Sequence, residues 1–235
     1  MAHHAAAAEH GLKRMFWRRK PLVSEEMRDW IVDHFDWVST NRPQWHDQAR
    51  LVLPTKDFFD APPGGGHETA LGVLRNIQDL MGLDLRIDLQ PLEVLPDDLR
   101  HQYGQMSEVA GTYMSDGETR LITYDPTLVR RPLTFLNTLA HEVMHARLEE
   151  VAHLLPGGAE MHELATDLHT IIAGFGVIEL EGAETAGWAG YMGQPSRAVA
   201  LAMFLKFHDL GPADALPHLS ARPARWLRKA WAEED

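Results

Sequence analysis

Met27, Trp30, Ile31, His34, Phe35 and Val38 recur at the spacing of one helix face, and this predicts a helix. Ser24 stands where an N-cap is needed, and Glu25 and Glu26 fall in the first turn, where the helix dipole favours negative charge. Asn41 and Pro43 stop the helix. Leu51-Val52-Leu53, just ahead of Pro54, reads as a short strand, and Ala61 to Gly66 as a loop. A second helix is expected over His67 to Met81, with Leu71, Leu74, Ile77, Leu80 and Met81 on its apolar side and Gly82 at its end. Leu85, Ile87 and Leu89 then alternate with Arg86 and Asp88, the pattern of a half-buried strand.

Residues 111–125 read as a hairpin with Asp116-Gly117 at its turn and Leu121, Ile122 and Tyr124 on its second arm. After Pro132 the apolar residues Leu133, Leu136, Leu139, Ala140, Val143, Met144, Leu148 and Val151 predict a long helix over about 133–153. Pro156-Gly157-Gly158 breaks it, and a further helix is expected over about 159–173. Ser196 to His208 reads as a mostly buried helix, and the end of the chain as an amphipathic segment that packs Trp226 and Trp231 on the core and leaves Arg222, Arg225, Arg228 and Lys229 in solvent. The order of elements is that of an α+β protein: a small mixed or antiparallel sheet, an edge hairpin packed on a helix, and a mostly helical C-terminal part. The expected organisation is a poorly ordered arm over residues 1–22, holding Lys13, Arg14, Arg18, Arg19 and Lys20, followed by a single domain over 23–235.

The 235 residues suffice for one sizeable core. A net charge of −12 argues against a general nucleic-acid binder, which needs a basic surface. No apolar run is long enough for a membrane span, and the N-terminal basic cluster follows an Ala/His stretch, the reverse of a secretory signal; the expectation is a cytoplasmic protein. With no cysteine, any metal must be held by His and carboxylates, and 14 His are present.

His141-Glu142-Val143-Met144-His145 falls inside the predicted helix 133–153. Residues four apart differ by about 40° around a helix axis, so both imidazoles leave one face and can grip one ion. Glu142 lies about 100° from His141 and can reach a water at the ion without displacing it. The third ligand decides the class of site. A third His would stand at Val151, with Gly at Leu148, so that arrangement is excluded, and a Cys ligand is excluded by composition. A carboxylate from the next helix remains. Glu163 and Asp167 lie four apart on the helix 159–173, and the sharp break lets this helix return antiparallel, with Glu163 opposite His145 and Asp167 near His141. A carboxylate at Asp167 would accept the imidazole N–H and aim the ring.

HExxH followed one helix later by ExxxD resembles the gluzincin clan of zinc metallopeptidases, and the small size resembles its compact, minigluzincin-like members. The resemblance covers roughly residues 80–205. It implies a zincin-like fold, one Zn2+ held by His141, His145 and Glu163, Glu142 as catalytic base, and Asp167 as a support behind the ligands. It also implies that the hairpin supplies an edge strand beside the cleft, where an extended peptide or protein substrate pairs. The donor that steadies the developing oxyanion in larger relatives has no clear match; Tyr191, in the turn Gly187-Trp188-Ala189-Gly190-Tyr191, and His208 are the candidates. His153, His162 and His169 point away from the proposed ligand face and are not expected to bind the metal. The competing reading is a non-catalytic zinc-binding interaction or regulatory domain, against which an intact Glu142 argues.

Overall fold

The computed structural model describes residues 20–92, 111–117, 119–187 and 190–234. Nearly all of the expected N-terminal arm lies outside them. Helix α1 (Glu25–Asn41) begins where Ser24 accepts a 3.2 Å hydrogen bond from the Met27 N–H, and buries Ile31, His34, Phe35 and Val38. Pro43 does not simply stop it: with its fixed φ, this residue starts a short second helix, α2 (Pro43–Gln48). Helix α3 (His67–Met81) has the expected bounds and ends on Gly82.

The sheet is small and mixed. Strand β1 (Asp88–Pro91) runs parallel to β3 (Arg120–Tyr124), and β2 (Gly111–Ser115) runs antiparallel to β3 on its other side. Among the described residues the order β1-β3-β2 leaves β2 as an edge. The alternating stretch from Leu85 therefore pairs only over its second half, where β3 lies alongside. Helix α4 (Pro132–Leu148) packs under β2 so closely that a Cβ on Gly111 would lie 3.0 Å from Thr138 Cγ2 and 3.2 Å from Glu142 Cγ. This helix ends at Leu148 rather than near residue 153, and a separate short turn covers Ala152–Leu154.

Helix α5 (His162–Thr170) is interrupted close to the expected end near residue 173, but the chain continues as a helix beyond the interruption. It passes through a wide turn at Ile171–Phe175 into α6 (Gly176–Thr185), which the apolar run did not separate from it. The interruption has a local cause. Gly174 has φ +101°, and a Cβ there would sit 2.0 Å from the Arg50 carbonyl oxygen, so no other residue fits. The segment Leu51–Leu53 crosses this turn. It is extended but is no strand: Val52 donates to the Gly174 carbonyl at 3.0 Å, and the structure beside it is a helix bend, which offers no ladder. Helices α7 (Gln194–Phe207), α8 (Pro212–Ala215) and α9 (Ala221–Glu234) complete the chain.

Two hydrophobic clusters result. One joins α3, the sheet and α4; the other joins α1, α5, α7 and α9, and Trp30, Trp37 and Trp45 touch both. Helix α9 buries Leu227 and Ala230 and lays Trp226 and Trp231 partly buried on the second cluster, as its amphipathic pattern predicts. No helix among the described residues is long and apolar enough to cross a membrane.

Candidate metal centre

Helix α4 presents His141 and His145 from successive turns of one face, and α5 returns beside it with Glu163 in its first turn. The three side chains converge. The Nε2 atoms of His141 and His145 are 3.1 Å apart, and Glu163 Oε2 lies 3.3 Å from the first and 3.4 Å from the second. Tetrahedral zinc with N and O ligands at about 2.0–2.1 Å separates those ligands by about 3.3–3.4 Å, so this triangle has the size of one face of such a site. Among the described residues no other group of three or more His or acidic side chains has comparable convergence.

The surroundings aim the ligands. His141 Nδ1 lies 2.9 Å from Asp167 Oδ1; the carboxylate accepts, so Nδ1 carries a proton and the ring aims Nε2 at the triangle. Asp167 is 2% exposed, and its other oxygen accepts three bonds: from the Tyr191 N–H at 2.8 Å, the Met192 N–H at 2.7 Å and Arg197 Nη2 at 2.8 Å. Arg197 is fully buried and also donates to the Glu179 carbonyl at 3.1 Å, with the Glu179 carboxylate 3.5 Å away. Gly190 makes room for this clamp: its φ is +106°, and a Cβ there would lie 2.0 Å from Arg197 Nη2. Burial opposes the charge on Asp167, but His141 and Arg197 outweigh it and hold the carboxyl well below its usual range.

His145 has a different support. Its Nδ1 is 2.9 Å from His162 Nε2, and Thr166 Oγ1 is 3.5 Å away. The Tyr113 ring from β2 stacks on His145 at 6.1 Å between centroids, and the Tyr191 ring stacks on His141 at 6.0 Å, so a tyrosine flanks each imidazole.

Glu142 is 7% exposed beside this triangle, and its carboxylate accepts a bond from the backbone N–H of Tyr113. Burial pushes its carboxyl up to about 7; His141 opposes this and Glu163 reinforces it. For His141, burial favours the neutral ring, but the bonds to Asp167 and Glu163 prevail and raise it to about 10. Glu163 is held well below the ordinary carboxylate range by the two imidazoles. Carboxylates that stabilise a positive charge at the centre of the triangle are the donor set a divalent cation requires.

Of the residues singled out by sequence, His141, Glu142, His145, Glu163, Asp167 and Tyr191 come together. His208 does not. It caps the end of α7, where its ring stacks on His46 at 4.7 Å and on Phe204 at 4.3 Å. A position one turn past Phe204 on a helix that packs against α9 cannot reach α4. Arg197, His162 and Tyr113 belong to the site and were not anticipated there. The position of His162 next to Glu163 turns it about 100° from the ligand face, and that angle carries it behind His145. No protein-family model, curated protein or solved structure matches the chain.

Proposed function

We propose that the chain is a zinc-dependent metallopeptidase of the compact gluzincin type, with a zincin-like fold, in which His141, His145 and Glu163 hold one ion and Glu142 is the general base. The observation that carries this reading is the triangle of Nε2, Nε2 and Oε2 atoms, 3.1–3.4 Å on each side, with a buried carboxylate next to it. Bound zinc would supply a Lewis acid that acidifies water toward a pKa of ~7.

The protein's own groups do the rest. The N–H of Tyr113 holds Glu142 in place to take a proton and return it to a leaving amine. Asp167 fixes the proton of His141 on Nδ1, and His162 does the same for His145. Tyr191 is 62% exposed over His141, in reach of an incoming carbonyl, and its hydroxyl is the candidate donor to the developing oxyanion. Among the described residues β2 is an edge strand, and an extended peptide would pair along its outer side.

Elemental analysis of the wild type, Glu142→Gln and Glu163→Ala, together with hydrolysis of a mixed peptide library, tests the proposal. One zinc per chain is expected in the wild type, retained zinc with lost cleavage in Glu142→Gln, and weakened zinc in Glu163→Ala. Full occupancy in Glu163→Ala would refute the ligand set. Bound zinc without cleavage of any peptide would favour a non-catalytic zinc-binding domain.

A further inference from the structure

Arg147 lies two residues past His145 and so about 200° around α4, on the side turned away from the metal triangle. Its side chain is 8% exposed, and its Nε is enclosed without a hydrogen-bond partner. The guanidinium sits 4.4 Å over the Trp45 ring. No ion pair joins it to an acid among the described residues.

The other neighbours supply no negative charge. His169, fully buried, has its Nε2 2.9 Å from His34 Nδ1, and His34 Nε2 lies 3.1 Å from the Pro156 carbonyl. A carbonyl only accepts, so His34 donates through Nε2; burial lowers the pKa of both rings, and at His169 the nearby Arg147 adds to this. Both shifts favour the neutral rings, in which His34 Nδ1 accepts from His169 Nε2. Arg42 adds a second positive group, 5.8 Å over Trp45 and 6.0 Å over Trp37. A cation–π contact and a place in the last turn of α4 recover only part of the cost of taking a guanidinium out of water. The planar fork of an arginine matches an oxyanion, and this one has donors to spare.

We propose that Arg147 forms the floor of a site for one small oxyanion of the phosphate or carboxylate class, with Trp45 as a wall and Arg42 at the rim. The site is independent of the metal reading, because it lies across α4 from His141 and His145 and uses none of the groups that hold the ion.

Thermal unfolding of the full chain tests this, with sodium phosphate or sodium acetate titrated against chloride at constant ionic strength. Phosphate is expected to raise the wild-type Tm saturably, as a ligand of the folded state does. Arg147→Met should show no such rise, and in chloride it should be at least as stable as the wild type, because it removes an uncompensated buried charge. Arg147→Lys keeps the charge without the fork and should bind phosphate at least about tenfold more weakly. A rise with acetate equal to that with phosphate would assign the site to carboxylates. The proposal fails if neither anion shifts the wild type, if Arg147→Met responds as the wild type does, or if Arg147→Lys binds phosphate equally tightly.

Discussion

Asp167→Asn changes one atom and should remove metal binding through a proton on a different residue. The oxygen that accepts from Tyr191 N–H, Met192 N–H and Arg197 Nη2 faces three donors, so the amide oxygen must take that place. The amide NH2 then faces His141 Nδ1 across 2.9 Å. A donor there requires Nδ1 to accept, which moves the imidazole proton to Nε2. The lone pair that should meet the ion is replaced by an N–H aimed into the triangle. Loss of an ordinary support behind a metal-binding His costs about 10–100-fold in affinity, and the inverted tautomer places this variant at or beyond the upper end. Stability also falls, because neutralising one partner of a buried pair costs about 3–5 kcal/mol, reduced here by the Glu179 carboxylate that remains 3.5 Å from Arg197. Zinc affinity, measured by competition with a chromophoric chelator at neutral pH, separates the two effects when Arg197→Met is run beside it. That variant loses the clamp but keeps the carboxylate on His141, so it should lose stability with the smaller loss of zinc. Zinc affinity in Asp167→Asn within about threefold of the wild type would refute the tautomer argument.

Tyr191→Phe keeps the ring over His141 and the backbone bond to Asp167, so it should leave zinc occupancy unchanged and lower kcat by about 10²–10³-fold; an unchanged kcat removes the hydroxyl from the chemistry. Gly190→Ala forces a side chain into φ +106° and against Arg197, and should cost at least about 2 kcal/mol in urea unfolding; a midpoint equal to the wild type would contradict the packing described here. Burial lowers the His34 pKa to about 4, whereas an unfolded His holds its proton up to about 6.5, so the folded state is fully favoured above pH 6.5 and loses about 3 kcal/mol as pH falls toward 4. Urea midpoints across that range should fall with pH in the wild type and more shallowly in His34→Phe.

How much of this could be read from the chain follows from the range of each signal. His141, His145, Glu163 and Asp167 are pairs four residues apart on helices joined by a short break, so periodicity alone brings them to one place. The edge hairpin was readable for the same reason: Asp116-Gly117 is a local turn signal between strand-forming residues. Arg197 was not readable. An arginine in an apolar helix passes for a residue reaching solvent, and only the fold reveals Asp167 and Glu179 around it. Leu51–Leu53 has the composition of a strand, but a strand needs a partner that composition does not name. His208 failed because a place near the end of a predicted helix says nothing of where α7 carries that end.

The bend at Gly174 also bears on how the molecule comes together. Of the contacts around the site, the one between Asp167 and Arg197, 30 residues apart, spans this bend; the Arg197 bond to the Glu179 carbonyl closes 18 residues beyond it, and the His141 bond to Asp167 closes 26 before it. The entropy lost in closing such loops grows only with the logarithm of their length, and contacts of short separation form early. Helices α1 and α9, by contrast, are tied by bonds of long separation, such as that from the Leu22 N–H to Glu233, 211 residues apart. The helices that carry His141, His145, Glu163 and Asp167 and their arginine clamp can therefore assemble as a folding nucleus, onto which α1 and α9 dock.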